Sequence, residues 1–270
     1  MAAATLKDLY RPLGKTGIQV SPLGLGTVKF GRNEKVKYPM PFDLPDEDTL
    51  VNLLAVARAL GINLIDTAPA YGLAEGRLGR LLAGQRPDWV IVGKAGENFS
   101  DGVSSYDFTP DAIRRSVESS LRNLQTDYLD VLLLHATQGD EALCRDEALL
   151  KTLSDMKSSG MVRAVGLSTY SVAAGLLGAK IFDVLMISYN LGWRAEESVI
   201  QAAAENNCGI LLKKIFNSGH VVHGQDKDTV TETFQFIFEK SSVAAAIVGT
   251  VNPTHLKENV EKLAAALIGK

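Results

Sequence analysis

The chain has 270 residues, of which 46% are hydrophobic and 22% are charged, a composition typical of a globular protein and not of a disordered one. Its 28 basic and 31 acidic residues give a formal net charge of −3, which excludes the general attraction to nucleic acid or anionic membranes that a basic chain has. No apolar run approaches the roughly 20 residues that span a bilayer, and the two cysteines are too few for a disulfide framework, so we expect a cytoplasmic protein that binds neither nucleic acid nor membrane.

Short apolar runs alternate with longer amphipathic segments along the chain. Before the first run, the stretch RPLGKTGIQVSPLG has glycines at 14 and 17 that favour a turn, so a β-hairpin is predicted there. The runs are rich in Val, Ile and Leu, as in parallel strands buried on both faces. The predicted strands span residues 23–27, 63–68, 90–95, 130–135, 164–169, 184–189, 209–214 and 245–249. The predicted helices span residues 45–60, 74–83, 109–124, 140–158, 171–178, 194–206, 228–240 and 253–267.

Boundary residues agree with several of these helices. Gly61 follows the first predicted helix as a C-cap glycine does, and Gly160 follows the fourth. Thr109 and Pro110 are typical of an N-cap and the first helical turn. Eight consecutive strand–helix units predict an α/β fold, a (β/α)8 TIM barrel with an N-terminal β-hairpin, as one domain over residues 1–270. A doubly wound open sheet alternates in the same way and is the alternative.

Polar residues gather where the predicted strands end, which is where a parallel barrel builds its active site. Asp66 and Tyr71 end or follow the second strand, Lys94 lies in the third, and His135 ends the fourth. A buried Asp66 needs a partner, and Lys94 at a similar height on the next strand is the expected one. A purely structural salt bridge and a purely structural histidine are the alternatives at these positions.

Together, these four residues suit proton transfer to a carbonyl oxygen. A phenol has a pKa of about 10, and a neighbouring cation is expected to lower it and so strengthen the acid. A carboxylate beside the lysine would hold it charged, and a neutral imidazole can orient a carbonyl beside the phenol. The residues therefore predict general-acid catalysis as charge develops on a carbonyl oxygen.

The chain resembles the aldo-keto reductase family in an ordered set of motifs from about residue 11 to residue 259. In chain order the set comprises GLGTVKFG, DTAPAYG followed by LAEGRLG, GKAG, DVLLLH, VRAVGLSTYS, SYN and IVGTVNPTHLKEN. The resemblance implies a (β/α)8 barrel that uses NAD(P)H to reduce a small-molecule aldehyde or ketone to an alcohol. It implies NADPH as the cofactor, with NADH as the alternative, and a monomer.

The resemblance also implies roles for individual residues. Tyr71 would be the proton donor, and Asp66, Lys94 and His135 would tune and orient it. The implied cofactor-binding residues are Gly26, Thr27, Asp66, Ser168, Thr169, Lys213, Lys214, Gly249, Thr250, His255, Glu258 and Asn259. Several positions depart from the family pattern. Met186 replaces a glutamine that contacts the carboxamide, and Lys213 or Lys214 replaces an aromatic ring on the nicotinamide. Gly249 and His255 replace basic residues at the 2′-phosphate, and Val28 replaces a tryptophan.

Two other functions remain open from the sequence. A Schiff-base lyase would use Lys94 as its nucleophile, although the adjacent Asp66 favours the unreactive, charged lysine. A non-catalytic or slow NADPH-binding sensor or regulatory subunit would keep the fold and lose turnover. His220 and His223 have no carboxylate or cysteine at ligand spacing, so no metal site is expected.

Overall fold

The computed structural model describes residues 5–217 and 228–268 of the chain. It begins with an antiparallel hairpin of β1 (Arg11–Pro12) and β2 (Gln19–Val20), joined by a turn at which Gly17 has φ of 74°. This is the hairpin predicted from the sequence. Its side chains Leu13, Ile18 and Val20 belong to the same buried cluster as the barrel interior, so the hairpin packs against one end of the barrel.

Eight strands then close into a barrel in which every neighbouring pair is parallel. These strands are β3 (Leu23–Gly26), β4 (Leu64–Asp66), β5 (Val90–Ala95), β8 (Leu129–His135), β9 (Val162–Ser168), β10 (Val184–Ser188), β11 (Gly209–Lys213) and β12 (Val243–Val248). They follow one another around the barrel in chain order, with β12 beside β3. The closed barrel confirms the predicted (β/α)8 fold over the doubly wound alternative.

Helices follow the strands and cover the barrel. They are α1 (Val28–Gly31), α2 (Glu47–Ala59), α3 (Ala74–Leu81), α4 (Pro110–Leu124), α5 (Glu147–Ser158), α6 (Val172–Ile181), α7 (Glu197–Glu205), α8 (Thr229–Phe238) and α9 (Pro253–Ile268). Within the described residues, none of them is both long enough and apolar enough to cross a membrane.

Alternation along each strand divides the core into two layers. In β8, Val131 and Leu133 belong to the cluster inside the barrel, whereas Leu132 and Leu134 belong to the cluster between strands and helices. Because successive side chains of a strand point to opposite faces, both faces must be apolar when helices cover the outside. This two-sided burial explains why the strands lack polar alternation in the sequence.

Besides shifted element bounds and the unpredicted short helix α1, two larger features differ from the sequence-based prediction. The predicted helix 140–158 is interrupted: a 3-10 turn at Asp140–Cys144 precedes α5, because Asp146 caps α5 by accepting a hydrogen bond from the backbone N–H of Leu149 at 3.0 Å. An additional antiparallel hairpin, β6 (Glu97–Ser100) and β7 (Val103–Tyr106), follows β5 directly and was not predicted. It carries a carboxylate that reaches the candidate active site.

Candidate active site

The C-terminal ends of β4, β5 and β8, which are neighbours in the barrel, bring together the four residues singled out in the sequence. Asp66 ends β4, Lys94 lies near the end of β5, and His135 ends β8. Tyr71 lies in a 3-10 turn, Pro69–Tyr71, just beyond β4. The centroid of its ring lies 4.9 Å from the Lys94 Nζ atom and 6.2 Å from the centroid of the His135 ring.

Asp66 and Lys94 form the ion pair that the sequence leads us to expect. Lys94 Nζ donates to Asp66 Oδ1 and, at 3.2 Å, to the carbonyl oxygen of Thr67. The exposed fraction is 4% for Asp66 and 2% for Lys94. Since each charge is buried, each depends on the other for its stabilisation. The lysine is therefore held close to the phenol with its charge directed at the carboxylate.

The expected lowering of the Tyr71 pKa is wrong for this structure. Burial raises the pKa of Tyr71 well above its usual value, and the negative charges of Asp66 and Glu97 raise that pKa further. Lys94 does not reverse this shift because Asp66 neutralises its charge. The phenol consequently stays protonated throughout the neutral range, so a proton is always available on its oxygen.

Glu97 is a residue of this site that sequence reasoning missed. It lies on β6, it is 9% exposed, and its Oε2 atom is 2.7 Å from Nδ1 of His135. Its other oxygen accepts a hydrogen bond from Ser104 Oγ at 2.7 Å and lies 4.0 Å from the Arg32 guanidinium. The available signal was a carboxylate two residues beyond a strand end, in the segment KAGEN.

A second polar group lies at the ends of β9 and β11. Lys213 Nζ donates to Ser168 Oγ and to the carbonyl oxygen of Thr169, both at 2.9 Å. The Thr169 hydroxyl donates to Glu196 Oε2 at 2.8 Å, and Glu196 Oε1 accepts from the backbone N–H of Ser188 at 3.1 Å. Burial lowers the pKa of Lys213 to about 8, and the charge of Lys214 lowers that pKa in the same direction. The structure thus brings Ser168, Thr169 and Lys213 together.

Lys214 does not join that group. Its backbone has φ of 57°, and its side chain is exposed. Desolvation of the part of its side chain that contacts protein lowers the pKa of Lys214, and the charge of Lys37, in the segment after α1, lowers it further, so these two lysines lie close enough to interact. Of the two lysines left open by the sequence, Lys213 is therefore the one that faces Ser168.

Gly26 and Thr27 lie at the end of β3 beside Asp66. Gly26 pairs with Asp66 in the sheet, and the Thr27 hydroxyl donates to the carbonyl oxygen of Asp66 at 3.0 Å. Gly249, beyond β12, lies close to Tyr38, since a Cβ atom on Gly249 would be 2.7 Å from the Tyr38 hydroxyl. The loop after α1 therefore reaches across to the end of β12.

The remaining predicted cofactor residues lie at the start of α9, apart from the catalytic group. Thr250 accepts a hydrogen bond from the backbone N–H of Asn252 at 3.1 Å. His255 and Glu258 are exposed, Asn259 is half-buried, and their spacing puts them on one helix face. His220 and His223 lie outside the described residues. Within residues 5–217 and 228–268, no three His, Cys, Asp or Glu side chains are placed to hold a metal ion.

Comparison with known proteins identifies one family. The model of the Aldo/keto reductase family matches residues 22–234. The crystal structure of a Pseudomonas aeruginosa protein assigned to the aldo-keto reductases is 48% identical, with a TM-score of 0.88 and 98% of each chain covered. The aldo-keto reductase AKR11C1 from Bacillus halodurans, in its holo form, superposes with a TM-score of 0.82 at 23% identity, covering 94% of this chain and 90% of its own, and so shares the fold.

Two further relatives are less than 30% identical to this chain. Aldo-keto reductase YhdN of Bacillus subtilis is 28% identical over 84% of this chain and 66% of its own length. Pyridoxine 4-dehydrogenase of Escherichia coli is 29% identical over 81% of this chain and 83% of its own length. The match thus spans about two thirds of the first protein and most of the second.

Proposed function

The chain belongs to the aldo-keto reductase family, and on that premise we propose that it reduces aldehydes or ketones to alcohols with NADPH, with Tyr71 as the proton donor. NAD(P)H-dependent carbonyl reduction in general follows from the family. The observation that supports the assignment to Tyr71 is its position between the buried Asp66–Lys94 pair and His135 at the carboxyl ends of three adjacent strands.

The proton step follows from the state of the phenol. The bound nicotinamide would supply a hydride to the carbonyl carbon, and negative charge would then develop on the carbonyl oxygen. Burial raises the pKa of Tyr71, so the phenol oxygen still carries its proton at neutral pH. That proton is the one that the carbonyl oxygen of the substrate needs. Lys94 and His135 would stabilise the developing charge, and Asp66 would hold Lys94 in place.

The residues at the ends of β9 and β11 fit the carboxamide of a nicotinamide. Ser168 Oγ accepts from Lys213, so its own hydroxyl hydrogen is available for the carboxamide oxygen. The Thr169 hydroxyl hydrogen is directed to Glu196, so the Thr169 oxygen can accept from the carboxamide nitrogen. Lys213 fixes Ser168 and Thr169, which compensates for Met186 in place of the family glutamine.

We keep NADPH as the proposed cofactor, with NADH as the alternative. Gly249, Thr250 and His255 would meet the 2′-phosphate, with Glu258 and Asn259 beside the adenosine. No arginine stands among these positions, so the preference is expected to be modest. The substrate is proposed to be a small carbonyl compound and the protein a monomer, and its two buried free cysteines suit the reducing cytoplasm.

The test is Tyr71→Phe, which removes the hydroxyl and keeps the ring. Loss of NADPH absorbance at 340 nm would be followed with a panel that includes an aliphatic aldehyde, an aldose and pyridoxal. General-acid catalysis contributes about 100-fold to 10,000-fold, so kcat should fall by at least about 100-fold while the NADPH Kd stays unchanged. Tyr128→Phe is the matched control, because Tyr128 precedes β8 at the opposite end of the barrel and its ring packs under Arg86. Wild-type turnover in the Tyr71 variant would refute the proposal.

The Schiff-base alternative is disfavoured by the contacts of Lys94. A nucleophilic amine must lose its proton, whereas Asp66 and the Thr67 carbonyl both stabilise the charged form. Borohydride added with a carbonyl substrate should therefore leave no adduct on Lys94. The regulatory alternative would show NADPH binding with negligible turnover across the panel.

A further inference from the structure

The contact between Glu97 and His135 favours one position for the proton of the imidazole. Glu97 Oε2 lies 2.7 Å from His135 Nδ1, and that nitrogen is buried with no other polar partner among the described residues; the contact is a close charge–dipole contact and does not have the alignment of a hydrogen bond. If Nδ1 held a lone pair, it would face a carboxylate oxygen at that distance with no hydrogen between them. Because lone pairs repel, the proton belongs on Nδ1, as in other carboxylate–histidine pairs.

This placement leaves Nε2 without a hydrogen whenever His135 is neutral. A neutral imidazole has one N–H group, and the negative charge of Glu97 at 2.7 Å favours placing it on Nδ1. The exposed fraction of the His135 side chain is 21%, and it belongs to atoms other than Nδ1. Neutral His135 can therefore accept a hydrogen bond from the site but cannot donate one, whereas the imidazolium can donate from Nε2.

We propose that Glu97 is a positioning residue that holds the proton of His135 on Nδ1, so that His135 assists carbonyl reduction as an imidazolium that donates from Nε2. The role in reduction rests on the proposed function. The carboxylate is itself held in place from two further sides, by the Ser104 hydroxyl and by Arg32, whose guanidinium stacks 3.4 Å from the Phe99 ring centroid. A histidine acting as a neutral donor, as the sequence suggested, would need the opposite tautomer.

The charges that face this pair set its pH dependence. Burial lowers the pKa of His135 below its usual value, Lys94 and Lys213 lower that pKa further, and Glu97 offsets only part of this lowering, so the imidazolium forms on the acid side of an ordinary histidine titration. Around Glu97 lie His135, Ser104 and Arg32, which hold its own pKa below the usual value despite burial. The imidazolium fraction therefore rises as the pH falls, and removal of the Glu97 charge should move that rise to lower pH.

The direct test is the tautomer of His135, which does not depend on activity. The chain has four histidines, so a ¹H–¹⁵N long-range correlation spectrum of protein labelled with ¹⁵N-histidine can be assigned with His135→Asn. Above its titration, His135 should show the Nδ1–H pattern in the wild type. The Nε2–H pattern in the wild type would overturn the proposal, even if Tyr71→Phe had already confirmed the reductase.

Glu97→Gln tests the pH dependence. A neighbouring carboxylate shifts a pKa by about 1 to 3 units, so the His135 titration and the acid-side rise of kcat/KM should both move down by at least about 1 unit. The wild-type midpoint in this variant would contradict the role of Glu97. Glu118→Gln, on the exposed side of α4, is the matched control and should leave both midpoints unchanged. If Glu97→Gln does not fold, two other variants test the same contact. Glu97→Asp keeps the negative charge and should retain the Nδ1–H pattern of His135. Ser104→Ala removes the hydroxyl that holds the Glu97 carboxylate and should weaken that pattern.

Discussion

Replacement of Lys94 by methionine tests how far the buried ion pair supports the fold. The methionine retains most of the apolar stem and removes the charge, so Asp66, 4% exposed, is left without its cation. Breaking a buried pair in this way costs about 3–5 kcal/mol. In a domain of about 150–250 residues each kcal/mol lowers Tm by about 2–4 °C, so a fall of roughly 6–20 °C is expected by circular dichroism.

A matched surface pair separates burial from the mere loss of a lysine. Lys151 and Asp155 form an ion pair at 2.9 Å on α5, with side chains 75% and 45% exposed. Because water solvates both groups, Lys151→Met should change stability by about 0–1 kcal/mol. The contrast between the two lysine variants measures the effect of burial.

The double variant Lys94→Met/Asp66→Asn identifies the cause of the loss. If the loss comes from an unpaired buried carboxylate, neutralising Asp66 should recover part of the stability that Lys94→Met alone removes. The reasoning is refuted if Lys94→Met unfolds within about 1 kcal/mol of the wild type, or if the double variant is less stable than the single one.

Two further outcomes are expected. The pKa of Lys213 is lowered to about 8, so its positive charge opposes the cationic oxidised nicotinamide near pH 7 and is lost toward pH 9. The ratio of the NADP⁺ Kd to the NADPH Kd, measured by fluorescence titration, should therefore fall several-fold from pH 7 to pH 9. In Lys213→Met this ratio should not change with pH. In α3, Gly79→Ala should destabilise the protein strongly, because the new Cβ would lie 2.1 Å from the backbone oxygen of Asn123. Gly76→Ala should raise or preserve Tm, because the atom nearest to its new Cβ is 3.9 Å away. Equal effects of the two alanines would contradict the close packing of α3 at Gly79.

The fold was predictable because its strands are buried on both faces. Val131 to Leu134 read as one apolar run, and a strand of this kind belongs to a parallel sheet covered by helices on both sides or closed into a barrel. Eight such apolar runs, each followed by a helix, left few fold classes other than a (β/α)8 barrel or a doubly wound sheet. The exact helix starts were less predictable, since the side chain of Asp146 and not the apolar pattern decides where α5 begins.

The ion pair could be anticipated for a similar reason. Asp66 and Lys94 interrupt apolar strands, and a charge inside such a strand requires a partner at the same height on a neighbour. The pKa of Tyr71 could not be anticipated in the same way. Its direction is set mainly by burial of the phenol and then by the charges of Asp66 and Glu97, and sequence spacing shows neither how deeply the ring is buried nor that Glu97 lies nearby.

Glu97 could not be predicted as a residue of the site from the sequence. The β6–β7 hairpin is short and mostly exposed, so it lacks the apolar runs by which the barrel strands are recognised. Its one buried carboxylate would nevertheless change the chemistry of the site under our proposal, because a phenol with a raised pKa is a weak acid and would gain from a second cation beside the developing oxyanion. Because Asp66 offsets the charge of Lys94, a His135 imidazolium favoured by Glu97 would, in the proposed mechanism, add a second positive charge beside the carbonyl oxygen.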